Sequence, residues 1–165
     1  MPVQSEYNLY TRDAVVGALY GISLTNSVRH SLINAGTAEI PFGVAVKNIA
    51  GLGKDRQCEL GGAAKVEGFA IRQINKQMNV VPGTGAIAYA VGEAVAVLKE
   101  GFMNVKLETG SAAAVKGARA WISTVDGTVR ADTATDYVES TNVTFESTGV
   151  AEEIVVINIT IANQA

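Results

Sequence analysis

The sequence predicts an all-β fold, a compact β-sandwich or β-barrel of about eight to ten short antiparallel strands with an extended N-terminal arm. Three observations indicate it. Short apolar segments rich in β-branched residues recur along the chain, with glycine, proline or Asp-Gly turns between them. Several segments alternate apolar and polar side chains, as in a strand with one face in a core. No segment carries a sustained apolar period of 3.6 residues, so we expect no long helix.

The length and composition favour one domain with a core of its own. The chain has 165 residues, of which 48% are hydrophobic and only 18% are charged, against about 25% charged in typical globular proteins. Such a surface suits a protein that other proteins cover, although a compact monomer rich in Thr, Ser and Asn would have the same composition. We divide the chain into an arm with its following strand, residues 1–37, and a body, residues 38–165.

Charge and hydropathy argue against several classes of protein. The net charge is −3. The sequence has no run of basic residues that could contact the phosphates of a nucleic acid, so we expect no nucleic-acid binding. The apolar stretches Val80–Val91 and Ile154–Ile161 are too short or too interrupted to span a membrane. The N-terminus lacks the features of a secretion signal, so we expect synthesis in the cytoplasm. The single cysteine, Cys58, excludes an internal disulfide and is predicted to fill apolar space.

The first 37 residues are the least regular part of the chain. A polar tail carries Tyr7, Leu9 and Tyr10, and the glycine-interrupted segment Val15–Ile22 follows it. We predict an extended arm that leads into a strand at Val28–Ile33. An ordered arm needs a surface to lie on, either its own body or a neighbour.

The body begins with predicted strands at Ile40–Val46, Gln57–Leu60 and Val66–Arg72. The segment Tyr89–Glu108 then contains two apolar runs on either side of Lys99-Glu100-Gly101. A glycine takes the positive φ that a tight turn requires. We therefore predict a hairpin here, with its turn at these three residues.

The C-terminal third is predicted to contain one hairpin, one long loop and a final strand. Ala118–Ser123 and Thr128–Arg130 flank an Asp126-Gly127 turn. Residues 131–153 are predicted to be a longer exposed loop region, within which Asn142–Glu146 has the pattern of a strand. The final strand presents alternate β-branched residues on one face, namely Val155, Ile157, Ile159 and Ile161.

The residues offer no convincing active site. His30 is the only histidine, and no Gly-x-Ser-x-Gly motif surrounds a serine. Gly83-Thr84-Gly85 lacks the remainder of a phosphate-binding loop. Asp132 and Asp136 lack the spacing of a calcium loop, so residues 131–139 form either a solvated acidic loop or a weak calcium site. We predict no catalytic residue, no cofactor and no metal.

Two aromatic residues could serve a binding surface. Trp121 and Tyr137 are candidates for stacking on a carbohydrate. Trp121 lies between Ala120 and Ile122, a position that also suits a core side chain. Both interpretations of Trp121 stay open, with the core position favoured.

Four segments resemble, in their order and spacing, the phage structural cement (capsid decoration) protein family. Ile40–Val46 and Gly68–Arg72 are similar to two of its core strands, Tyr89–Gly101 to its central hairpin, and Val115–Trp121 to the strand that follows. The family more often has Asp-Pro in place of Glu93-Ala94, and Ala118 also departs from its pattern. The resemblance covers roughly residues 40–130.

This resemblance implies a non-enzymatic protein of the bacteriophage virion, made in the cytoplasm of a host bacterium. Such proteins bind the outer surface of the assembled head and clamp neighbouring subunits of the major capsid protein, which stabilises the virion. The resemblance also implies self-association, as a homotrimer or alternatively a dimer, and brings no catalytic residue, nucleic acid or membrane. The alternative function is a phage tail or fibre-associated β-domain with carbohydrate affinity.

The residues expected to bind the capsid or a neighbouring subunit lie in the arm. We choose them by position and side-chain type, because buried aromatic side chains tend to dominate the energy of an interface. They are Tyr7, Leu9, Tyr10, Leu19 and Tyr20.

Overall fold

The protein is described by a computed structural model over residues 15–20, 27–51, 53–73 and 87–161. Within this part the regular structure is entirely β, which confirms the predicted fold class. No helix in it is long and apolar enough to cross a membrane. In chain order the strands are β1 Val28–Asn34, β2 Ile40–Pro41, β3 Ala45–Asn48, β4 Gln57–Leu60, β5 Gly68–Ala70, β6 Ala88–Tyr89, β7 Ala94–Lys106, β8 Arg119–Ser123, β9 Val129–Arg130, β10 Tyr137–Phe145 and β11 Ile154–Ile159.

Five strands between residues 28 and 106 close into a small barrel. β1 pairs with β4 in parallel, and the pairs β4–β3, β3–β5, β5–β7 and β7–β1 are antiparallel. The barrel encloses an apolar cluster whose largest member is Tyr89. The hydroxyl of Tyr89 donates a hydrogen bond to the carbonyl oxygen of Ile71 at 2.6 Å, so its polar end is satisfied inside the core.

The second sheet continues from β7 and packs over the first. Its order is β7-β11-β10-β8-β9, and a parallel bridge from Val129 to Leu107 brings β9 back beside the end of β7. The larger apolar cluster lies between the two sheets and includes Phe69, Leu98, Phe145 and Ile157. The predicted inward face of the last strand is confirmed for Val155, Ile157 and Ile159, whereas Ile161 is 51% exposed.

The predicted hairpin within Tyr89–Glu108 is wrong. Residues 94–106 form one continuous strand of 13 residues, because partners hold its whole length: β1 and β5 pair with its first half, and β11 with residues 101–106. The register with β1 slips so that Val28 lies opposite Glu100 and Arg29 opposite Leu98. This β-bulge, with Gly101 at a φ of 127°, bends the strand from one sheet into the other.

Other strand predictions are confirmed or shortened. β1 and β4 agree with prediction, and the turn at Asp126-Gly127 joins β8 to β9 as expected. The predicted strand Ile40–Val46 is broken by a turn at Phe42-Gly43, where Gly43 has a φ of 76°. The strand predicted at Asn142–Glu146 is confirmed for residues 142–145, whereas the exposed loop predicted before it is wrong for residues 137–141: Tyr137–Phe145 form the nine-residue strand β10 between β8 and β11.

Buried Asn142 joins strands where backbone pairing ends, a role that no local sequence pattern indicated. The Asn142 side chain donates to the carbonyls of Val66 and Thr160 at 3.0 and 3.2 Å, and its Oδ1 accepts from the Val66 N–H at 3.1 Å. It therefore ties β10 to the segment before β5 and to the end of β11. Among the described residues no buried side-chain nitrogen or oxygen lacks a hydrogen-bond partner.

Candidate interaction surfaces

The base of the N-terminal arm pairs with the body as an added strand. The Gly17 N–H donates to the carbonyl of Asn104 at 2.8 Å, and the Asn104 N–H donates to Ala18 at 2.9 Å. The Tyr20 N–H donates to Phe102 at 3.1 Å, and Leu19 lies opposite Met103 in an antiparallel bridge. These bonds pair the backbone groups of β7 beyond Glu100, the last residue of β7 that pairs with β1.

A glycine makes this docking possible. A turn closes where the Ala18 N–H donates to Val15 at 3.0 Å, and Gly17 within it has a φ of 76°. A Cβ on Gly17 would lie 2.9 Å from the backbone nitrogen of Gly43. The Gly17 carbonyl also accepts a hydrogen bond from the Arg72 N–H at 2.8 Å. The arm base is thus held by β7, by the turn before β3 and by the segment after β5.

The structure separates the five residues proposed for binding. Tyr7, Leu9 and Tyr10 lie outside the described residues. Leu19 is partly buried and packs against the larger core of its own chain, while Tyr20 beside it is 51% exposed. The open question of what the arm lies on is answered for residues 15–20, which lie on their own body.

One strand edge of the small barrel has no partner strand among the described residues. Arg29, His30 and Ser31 of β1 are all exposed, and β4 pairs with β1 only at Ile33 and Asn34. His30 is therefore a surface residue on this strand. Within the described ranges no group of three or more His, Cys, Asp or Glu residues lies close enough to hold a metal ion.

A cleft of about 450 Å³ lies beside the start of β5 and the end of β11. Two of its charged groups, Lys99 and Glu67, are paired across strands, and the other carboxylate oxygen of Glu67 accepts from the Asn48 amide at 2.8 Å. Asn142 faces the same cleft and is fully engaged with the backbone. Lys99, Glu67, Asn48 and Asn142 therefore serve as links between strands.

The acidic loop after β9 is organised by an arginine. The Arg130 guanidinium donates to both carboxylate oxygens of Asp132, at 3.1 and 3.2 Å, and to the carbonyls of Thr109 and Gly110 at 3.2 and 2.6 Å. These bonds, with a hydrogen bond from the Ala112 N–H, hold the pKa of Asp132 below its ordinary value. Asp132 thus serves as a partner of Arg130, which favours the acidic-loop interpretation over a calcium site.

The two aromatic candidates lie on the outer face of the second sheet. Trp121 is half-buried there, outside both apolar clusters, so its predicted core position is wrong. It lies on the strand face opposite to Ala120 and Ile122, which fill the core. The Tyr137 hydroxyl pairs with Thr128 at 2.7 Å, and the Arg130 guanidinium carbon lies 5.5 Å from the centre of its ring. One face of Tyr137 is therefore already covered.

Cys58 is fully buried in the small barrel, as predicted. Burial, with a smaller effect of the Glu67 charge, raises the pKa of its thiol to about 11. A thiol of this kind stays protonated near neutral pH and is a poor nucleophile.

Comparison with known proteins identifies a family and a fold. The family model described as structural cement protein (E217 gp24/Pam3 gp6) matches residues 3–160. A chain in the solved structure of the capsid of Myoviridae phage XM1 has a similar fold, with a TM-score of 0.67, 15% sequence identity and 100% of each chain covered. No curated protein matches the sequence.

Proposed function

Because the chain belongs to the structural cement protein family, we propose that it binds the outer surface of an assembled phage head and clamps neighbouring subunits of the major capsid protein. The resemblance inferred from the sequence is confirmed by the family match over residues 3–160. The protein is accordingly a structural component of the phage capsid. That match, over nearly the whole chain, is the single observation that carries the proposal.

The body supplies a rigid platform for such a clamp. β7 belongs to both sheets, so one strand contributes side chains to both close-packed apolar clusters and joins the two sheets covalently. The arm base is fixed to this strand at Asn104 and Phe102. Residues 17–20 of the arm base therefore hold a defined position on the body.

We place the contacts with neighbours at Tyr7, Leu9, Tyr10 and Tyr20, with Leu19 holding the arm base to its own body. Support for Tyr20 comes from its exposure, 51% of a large side chain, directly beside the anchored bridge of Leu19 and Met103. An exposed aromatic on a fixed backbone loses little conformational freedom on binding, which favours affinity.

Self-association would strengthen attachment to a repetitive lattice. A homotrimer, or alternatively a dimer, presents the same surface to several capsid neighbours at once. Several modest contacts made together raise the overall affinity about 10²–10⁴-fold above a single contact. This explains how a protein with few charged groups could still hold firmly to a shell.

Phage heads assembled without this protein provide the test. We expect purified protein to bind such heads at saturable, symmetry-related positions in electron micrographs, and to raise the temperature at which the heads release their DNA. Heads that take up the protein without any gain in heat resistance would contradict stabilisation. Absence of binding would contradict the capsid role itself.

The clamp is tested by changing the arm alone. A protein lacking residues 1–14 keeps the paired base at residues 17–20, so we expect a folded body with reduced occupancy on heads. Tyr20→Ala should lower occupancy as well, whereas Val91→Ala, a change of an equally exposed side chain elsewhere, should not. Equal occupancy for all three variants would exclude the arm as the clamp.

A carbohydrate-binding role is the second candidate, favoured by the shared outward face of Trp121 and Tyr137 on neighbouring strands. Glycan binding that is lost in Trp121→Ala, by a protein that does not bind heads, would support this role over the capsid proposal.

A further inference from the structure

The open edge of β1 has the geometry of an acceptor for an additional strand. The Ile33 and Ala35 N–H groups donate to Arg56 and Cys58 at 2.8 and 3.0 Å, on the side where β4 lies. Backbone groups alternate between the two edges along a strand, so those of Arg29 and Ser31 point to this same side. No described residue pairs with them there. Two N–H and two carbonyl groups are thus available to a partner.

The edge remains open because the chain before β4 turns away from it. The Gln57 N–H donates to Lys54 at 2.9 Å, which closes a turn over residues 54–57. β4 therefore begins only at the level of Ile33. Ile33 itself projects from the same face as Arg29 and Ser31 and is 47% exposed. An added strand would continue the line of β4 beside Arg29 and Ser31.

The N-terminal sequence has the pattern of a strand that fits this edge. Val3, Tyr7 and Leu9, with the small Ser5 among them, alternate with the polar residues Gln4, Glu6 and Asn8. The acidic Glu6 would lie on the face of exposed Arg29 and Ser31, and the apolar residues would extend the opposite face, which carries buried Leu32. Complementary charge favours this pairing.

We propose that residues 3–9 of one copy of this chain add as a strand to the open β1 edge, Arg29–Ser31, of a second copy. Each chain carries one such segment and one such edge, which is what a closed cyclic oligomer built from head-to-tail contacts requires. Strand addition of this kind draws its affinity from main-chain hydrogen bonds and its specificity from alternate side chains. The inference deepens the proposed contacts of the arm with neighbours and identifies the neighbour, but it does not depend on capsid binding.

The first experiment removes a backbone donor from the edge. In Ser31→Pro the N–H that points to the open side is lost, while the ladder between β1 and β7 is kept; Ser31→Ala keeps the N–H and is the matched control. By sedimentation of the purified proteins without capsids, we expect Ser31→Pro to weaken self-association about tenfold and Ser31→Ala to leave it unchanged. Thermal unfolding of both variants checks that the body stays folded. A folded Ser31→Pro with unchanged self-association would overturn the proposal.

A second experiment identifies the donor by disulfide trapping. Ser31→Cys protein is mixed with Glu6→Cys or Asn8→Cys protein under mild oxidation, and buried Cys58 stays out of the reaction. A disulfide-linked dimer of the two variants supports exchange between copies. A chain carrying both substitutions that closes only a disulfide within itself would show that each arm returns to its own edge and would overturn the proposal. If Ser31→Pro protein no longer self-associates but still binds phage heads, strand exchange between copies and capsid binding are separate properties.

Discussion

Leu19 lies opposite Met103 in an antiparallel bridge, so the base of the N-terminal arm is a short additional strand of the body. Leu19 packs against the larger core, and the backbone bonds of Gly17, Ala18 and Tyr20 to β7 surround it. A force applied to the arm base is therefore transmitted to β7, the strand that both sheets share. An arm fixed in this way suits a protein that holds neighbours together.

Gly17→Ala should release the arm base. The residue has a φ of 76°, and a Cβ would meet the nitrogen of Gly43 at 2.9 Å. We expect faster hydrogen exchange at the Asn104 N–H, which donates to Ala18. Gly53→Ala is the matched control, because Gly53 also has a φ of 76° but has no atom within 4 Å of an added Cβ. In Gly53→Ala only the positive φ is unfavourable, which should lower the free energy of unfolding by about 1 kcal/mol. In Gly17→Ala crowding of the new Cβ should lower it by about 1–3 kcal/mol more. Equal losses of stability in Gly17→Ala and Gly53→Ala would contradict close packing at Gly17.

Asn142→Ala should be strongly destabilising. The change leaves the Val66 N–H and the carbonyls of Val66 and Thr160 without their side-chain partner in a buried site. We expect a loss of about 2–4 kcal/mol in the free energy of unfolding, measured with denaturant, since each unsatisfied buried group costs about 1–3 kcal/mol. Asn48→Ala, which removes one exposed bond to Glu67, should cost less than about 1 kcal/mol.

Arg130→Lys should loosen the loop that follows β9. A lysine ammonium cannot reproduce the fork of donors that contacts Asp132, Thr109 and Gly110 together. We expect the melting temperature to fall by several degrees, equivalent to about 1–2 kcal/mol. Arg119→Lys is the control: its contact with Glu139 spans 4.0 Å and is largely exposed, so its melting temperature should stay within about a degree. A similar fall in both variants would argue that general charge effects are responsible.

Asp132 should contribute to acid sensitivity. Hydrogen bonds from Arg130, then from the Ala112 N–H, lower its pKa from the ordinary value of 3.8 in the folded protein. A carboxyl with a lowered folded pKa stabilises the fold above its unfolded pKa, and this stability is lost as the pH falls through the folded pKa. Asp132→Asn should therefore show a smaller decrease in stability between about pH 5 and pH 2 than the parent protein, followed by denaturant unfolding at each pH. Parallel pH profiles would contradict this role.

Cys58 should report unfolding. The side chain is 0% exposed, and burial raises the pKa of its thiol to about 11. We expect negligible labelling by a maleimide at pH 7.5 in the native protein and complete labelling in denaturant. The ratio of the two rates gives the free energy of the opening that exposes β4. Fast native labelling would mean that the small barrel opens readily.

The local sequence signals were reliable where a single strand or turn decided the outcome. The β-branched run Ile154–Ile159, the strand Gln57–Leu60 and the Asp126-Gly127 turn all form as predicted. Prediction was wrong at Lys99-Glu100-Gly101, because a glycine after two charged residues has the same pattern in a turn and in a bulged strand. Trp121 was misplaced for a related reason: apolar neighbours on both sides do not reveal which face of the sheet is covered.

The sequence by itself determined that this protein is an all-β structure, and the order of its motifs indicated the family. These properties depend on side-chain period, turn residues and residue inventory, which are local. Only the tertiary structure decided that β7 runs unbroken through two sheets, that Leu19 lies on Met103, and that Asn142 joins three segments. Each of these depends on partners that lie between 18 and 86 residues away in the chain, and a local pattern carries no information on which distant backbone will satisfy it.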